Sequence, residues 1–129
     1  MPEDNKESMP DQYKTVSLEE FVEYSKSMFA YWTEDDFASS FRKMLTIEQF
    51  RSEEMQGLYQ QYLSSGPAAY VKDLFESMGI AHAEENAVRF YATMYFYYSV
   101  YDGADDKEKV KKEFASAIGS MAQEWIERR

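Results

Sequence analysis

The stretch Ala87 to Tyr101, AVRFYATMYFYYSVY, limits the possible folds more than any other. Twelve of its fifteen residues are apolar or aromatic, and seven of them are Phe or Tyr. The exceptions, Arg89, Thr93 and Ser99, do not recur at a spacing that gives a helix one wet face. Nor does the run alternate as a half-buried strand does. A fully buried strand is the rival reading, because Tyr and Thr suit strands. Fifteen uninterrupted residues are long for a strand, however, and Glu84, Glu85 and Asn86 ahead of them suit the first turn of a helix. A helix apolar on all sides must be covered on all sides. It therefore lies at the centre of a bundle, or between its own core and a partner.

The rest of the chain reads as helical too. Residues 1–16 hold Pro2, Pro10 and polar residues without period, and read as a flexible leader before a single helical domain over 17–129. Ser17 with Glu20 makes a capping box, followed by Phe21, Tyr24, Met28 and Tyr31 at helical spacing. Thr33 with Asp36 reads as a second cap, opening a helix with Phe37, Phe41, Met44 and Leu45 on one side. Arg42 and Lys43 near its end complement the helix dipole. Thr46 to Gln49 repeats the cap signal and predicts a short separate turn. Ser52 then caps a helix with Met55, Leu58, Tyr59, Tyr62 and Leu63, ended by Ser64-Ser65-Gly66-Pro67. Pro67 suits the first position of the next helix, which carries Tyr70, Val71, Leu74, Phe75 and Met78 and stops at Gly79. After the central helix, Asp102 to Asp106 is a turn that supplies a cap. The last helix has Val110, Phe114, Ile118, Met121 and Trp125 on one face. The fold class expected is an all-α bundle of about six helices.

Composition excludes several functions. The net charge of −10 argues against phosphate contacts and so against nucleic-acid binding by the chain alone. There is no cysteine, which removes disulfides and thiol-based metal or redox sites. No apolar run has transmembrane length, so a cytoplasmic protein without membrane contact is expected. His82 is the sole histidine, and no Glu-x-x-His pairs exist for a bundle metal centre. The residue reads as a polar turn position. The four lysines Lys107, Lys109, Lys111 and Lys112 are interleaved with Glu108 and Glu113 as on a solvated helix face. The reading is of a protein that is not an enzyme and needs no cofactor.

What stands out is that 17% of the residues are aromatic. Phe41, Met44, Tyr59, Tyr62, Phe75, Phe90, Met94 and Tyr97 could converge from four helices on one interior space. That space is either a filled core or a ligand pocket, and periodicity does not separate the two. Tyrosine faces in an acidic chain favour a flat aromatic or cationic amphiphile as ligand. On a helical wheel Val88, Ala92, Phe96 and Val100 share the other side of the central helix. Ala115, Gly119, Ala122 and Ile126 form a small-residue ridge on the last one. These two ridges are the expected homodimer interface, built around a two-fold axis.

The run Phe37-Ala-Ser-Ser-Phe-Arg-Lys-Met-Leu-Thr-Ile-Glu-Gln-Phe-Arg51, with Leu58-Tyr59-Gln-Gln-Tyr62, Gly66-Pro67, Phe90-Tyr91-Ala92 and Tyr101-Asp102-Gly103, resembles the C-terminal domain of TetR-family transcriptional regulators. The similarity spans about Ser17 to Arg128. It implies a helical effector-binding and dimerisation domain, with a small apolar or aromatic effector in the pocket. The last two helices, Glu84–Tyr101 and Asp106–Arg128, would pair across the dimer axis. The three-helix DNA-binding unit of that family has no counterpart here, so DNA would be reached only through a separate N-terminal domain. An alternative is a stand-alone helical interaction protein that pairs with a full-length regulator and sequesters it.

Overall fold

The computed structural model describes Ser17 to Glu127; the expected leader lies outside the described residues, as do Arg128, Arg129 and the side chains of Ile126 and Glu127. Six helices follow in order: α1 (Leu18–Glu34), α2 (Asp36–Glu48), α3 (Glu53–Leu63), α4 (Ser65–Ser77), α5 (Ala83–Gly103) and α6 (Lys107–Glu127). The described residues contain no strand, and no helix is long and apolar enough to cross a membrane.

Most helix ends lie where local chemistry puts them. The Ser17 hydroxyl accepts from Glu20 N at 3.0 Å, and the Ser52 hydroxyl accepts from Met55 N at 3.1 Å. Each satisfies one of the amides that a first turn leaves open. Gly79 has φ +76, which lets its amide reach the Glu76 carbonyl while Ile80 N reaches Phe75 O. Those two bonds close α4 in a Schellman motif that a side chain with a Cβ would strain. Asp106 accepts from Lys109 N at 3.1 Å ahead of α6, and the Lys107 ammonium donates to the Tyr101 carbonyl at 2.8 Å behind α5.

Three local expectations are corrected. The cap of α2 is Asp35, whose carboxylate accepts from Ala38 N. Thr33 is instead buried inside α1 and donates to Phe29 O. No separate turn forms after Thr46, since α2 runs on to Glu48 and the Thr46 hydroxyl donates back to Arg42 O. The buried side of α2 is Ala38, Ser39, Arg42 and Leu45, while Phe37 stands 75% exposed. The phenylalanines therefore mark the outer edge of that helix, one step round from its contact face.

The core is aromatic and gathers along α1. At one end Phe21, Phe75, Phe90 and Trp125 meet edge-on, with Phe75 and Trp125 centroids 4.7 Å apart. At the other, Phe29 is stacked between Phe114 at 4.3 Å and Tyr98 at 5.6 Å. Such pairs are worth about 0.5–1.5 kcal/mol beyond the area they bury. Leu45, Tyr59 and Leu63 form a smaller core under α2 and α3, joined to the main one through Trp32.

Helix α5 has the chain's own core on one side only. Ala87, Phe90, Tyr91, Met94, Tyr98 and Tyr101 are buried. On the far side Val88 is 55% and Phe96 60% exposed, with Ala92 exposed and Val100 half-buried. The matching ridge of α6 behaves differently. Ala115 is half-buried and Gly119 exposed, but Ala122 is buried within the subunit. Gly119 and Ala122 border a depression shared with Leu18 and Val22, so their side of α6 faces the chain's own α1. At Ala122 the packing neighbours are therefore intramolecular.

Candidate ligand cavity

Helix α1 packs on α2, α5 and α6, whereas α4 packs on α3 and α5. The two sets diverge from α5, and a cavity of about 410 Å³ lies in the wedge between them. That volume is in the range of small-molecule sites. Its walls are Phe21, Ser25, Met28 and Trp32 of α1, Gly66, Pro67, Val71 and Leu74 of α4, and Phe90, Tyr91, Met94 and Tyr98 of α5. Phe21 closes the base, its ring 5.1 Å from Phe75 and 5.0 Å from Phe90. Tyr24, Tyr62, Tyr70 and Gln61 also line it, and being exposed they form the mouth.

Two polar groups of the wall are engaged by backbone carbonyls. Ser25 Oγ donates to Phe21 O at 2.8 Å, the back-bond a helical serine makes to the preceding turn. Tyr91 Oη donates to Leu63 O at 2.5 Å, which satisfies a carbonyl that the end of α3 leaves open. Burial pushes the Tyr91 and Tyr98 phenols well above the usual tyrosine range, in Tyr98 against an opposing pull from Arg42. Tyr59, which shares a short hydrogen bond with Tyr95 outside the cavity wall, is pushed up to about 12, by burial first and by Tyr95 second. Among the described residues no three His, Asp or Glu side chains gather as a metal site.

Arg42 supports the inner end of the cavity without lining it. It is 5% exposed, with Nε donating to Trp32 O at 3.0 Å and a terminal nitrogen 2.8 Å from Asp102 Oδ1. Its guanidinium carbon lies 5.0 Å from the Tyr98 ring centre. One side chain thus ties the α1–α2 corner to the end of α5 and backs two cavity residues. Its predicted surface role at the helix end is replaced by a buried one.

Of the eight residues expected at the site, Tyr62, Phe90 and Met94 line the cavity. Phe75 lies fully buried beneath it. Phe41 packs edge-on against Tyr62 at 5.4 Å, and Met44 is exposed beyond it on α2. Tyr59 belongs to the smaller core under α3, and Tyr97 sits on the α6 side of α5, 6.0 Å from Phe114. Those five lie off the wall because their helices turn them toward other neighbours. The contribution missed is that of α1, although Phe21, Tyr24 and Met28 stood out as a stripe. What the stripe could not reveal is that it faces a gap. No protein-family model, curated protein or solved structure matches the chain.

Proposed function

We propose that this domain senses a small apolar or aromatic molecule and dimerises, as the effector-binding half of a TetR-like regulator would. The observation that carries the reading is the aromatic wedge between α1 and α4, open at one end and free of charged side chains among its described walls. A core selected only for stability would close such a gap, because voids forfeit contact energy. An effector seated there touches α1 and α4 at once and so favours one separation of the two. Arg42 would carry that choice from Trp32 to Asp102 at the end of α5. DNA would be engaged through a separate N-terminal domain.

The exposed side of α5 supports the dimer. From Phe90 to Tyr101 the helix carries no charge, and Val88, Ala92, Phe96 and Val100 offer an apolar arc. Interface centres are depleted in charge in the same way. A second reading uses the same arc for pairing with a full-length relative.

The test of sensing is a thermal-shift screen of aromatic and amphiphilic compounds. A ligand at a hundred times its Kd should raise stability by about 2.7 kcal/mol. Met94→Trp, which fills the cavity, should abolish the shift while leaving the helical signal intact. A hit whose shift survives Met94→Trp binds elsewhere, and the site assignment then fails.

A further inference from the structure

One buried hydroxyl of the cavity wall has no use inside the protein and selects among ligands, a selection that rests on the sensing function proposed above. Tyr98 is 3% exposed, and its hydroxyl has no hydrogen-bond partner among the described residues. Among those residues every wholly buried side-chain nitrogen or oxygen does have one. The Tyr98 hydroxyl is therefore not wholly buried, and its small accessible area opens on the cavity that the residue lines. A nearly dry phenol without a partner lowers stability, because it has given up water and gained nothing. Tyr91, the other buried tyrosine of the wall besides Tyr98, donates to Leu63 O and so serves the fold. Tyr98 has no such duty, and a phenylalanine would stack on Phe29 equally well.

We propose that the Tyr98 hydroxyl donates to a hydrogen-bond acceptor on the ligand, the carbonyl oxygen of a neutral aromatic ketone or quinone. A phenol can donate or accept, and the surroundings of this one favour donation. The Arg42 guanidinium carbon lies 5.0 Å from the Tyr98 ring centre and draws electron density out of the ring. That makes the proton easier to share and the lone pairs weaker. Trp32, part-buried on the same wall, adds an indole N–H that has no partner among the described residues and can only donate. No Lys, Arg, Asp or Glu is among the described cavity walls, and Arg42 is already engaged by Asp102. A carboxylate would therefore exchange its hydration for neutral donors, without a free cation to meet it.

Acetonaphthone, isopropenylnaphthalene and naphthoate share one shape and differ at the group that Tyr98 would meet. Their affinities are measured by calorimetry or fluorescence at near-neutral pH, on the parent and on Tyr98→Phe. The variant should bind acetonaphthone about five- to tenfold more weakly, the scale of one neutral hydrogen bond, and isopropenylnaphthalene unchanged. Each ligand is compared with itself, because the hydrocarbon leaves water more readily whatever the site. On the parent, naphthoate should bind about a hundredfold more weakly than acetonaphthone. Met94→Trp should remove the binding of all three. Without ligand, Tyr98→Phe should be at least as stable to heat as the parent, whereas Tyr91→Phe, which strands the Leu63 carbonyl, should be less stable. A destabilised Tyr98→Phe would show that the hydroxyl serves the fold, and overturns the proposal. Equal effects on the two neutral ligands, naphthoate as tight as the ketone, or failure of acetonaphthone to bind also overturn it, and all of these leave sensing standing. No binding of any of the three, together with no hit in the thermal-shift screen, removes both.

Discussion

Replacing either partner of the Arg42–Asp102 pair should be costly, and the two replacements should not be equivalent. Arg42 has 6% of its side chain exposed and Asp102 27%, so the cation is the more committed of the two. Arg42→Met keeps most of the stem packing and removes three interactions. The Trp32 carbonyl loses its donor at 3.0 Å, worth about 1–3 kcal/mol if it stays dry. The contact over Tyr98 is worth about 0.5–2 kcal/mol. Asp102 can turn toward water, so its share is small, and desolvation of the guanidinium is no longer incurred. The net cost should be about 2–3 kcal/mol. Asp102→Ala instead strands a buried guanidinium and should cost about 3–5 kcal/mol. The double variant should fall short of the sum by about 1–3 kcal/mol, the coupling expected of groups in direct contact. Urea unfolding followed by helical circular dichroism measures all three. The slope with urea should stay constant, since the native fold is unchanged. Arg42→Lys should rescue little, because an ammonium cannot reproduce the planar reach to both Trp32 and Asp102. Costs that simply add, within about 0.5 kcal/mol, would refute the account of Arg42 as a tie between the α1–α2 corner and α5.

Three other perturbations test separate parts of the structure. Gly66→Ala should destabilise by about 1–3 kcal/mol, because its Cβ would run into the Gln61 carbonyl group, whose carbon lies only 2.9 Å away; unchanged urea stability would show that α3 and α4 meet less closely. In an alkaline absorbance titration Tyr59, Tyr91 and Tyr98 should ionise above the ordinary tyrosine range. Their raised pKa values mean that the stability they contribute is complete below pH 10, the unfolded value, and is lost above it as Tyr59 approaches about 12. A single ionisation step near 10 with the fold intact would contradict this. Finally, Phe96→Glu and Ala122→Glu should part company. The first alters an exposed position and should leave a folded monomer by light scattering, against a dimeric parent. The second places a carboxylate in the subunit core and should lower thermal stability in any oligomeric state. A folded Ala122→Glu monomer would put that residue back at a subunit interface.

The helices themselves were legible in the sequence because their signals are local. Ser17, Ser52 and Gly79 each act on backbone groups within five residues, so no knowledge of the fold is needed to see them. The split of α5 into a core side and an outer side, and the inner face of α6 from Val110 to Trp125, also follow from spacing along one helix. Where a local signal had a neighbouring competitor, tertiary packing decided: Asp35 took the cap that Thr33 also offered, and Thr33 went into the core. The phase of α2 was misread because its contact face is built from Ala38, Arg42 and Leu45, with a charged residue at its centre. Only an acceptor sixty residues away, Asp102, makes burying that charge possible, and no window of sequence contains it. The cavity lies at the same remove. Each wall is an ordinary apolar stripe, but the space arises because α1 and α4 splay from α5, and the distance between two helices is not a property of either one.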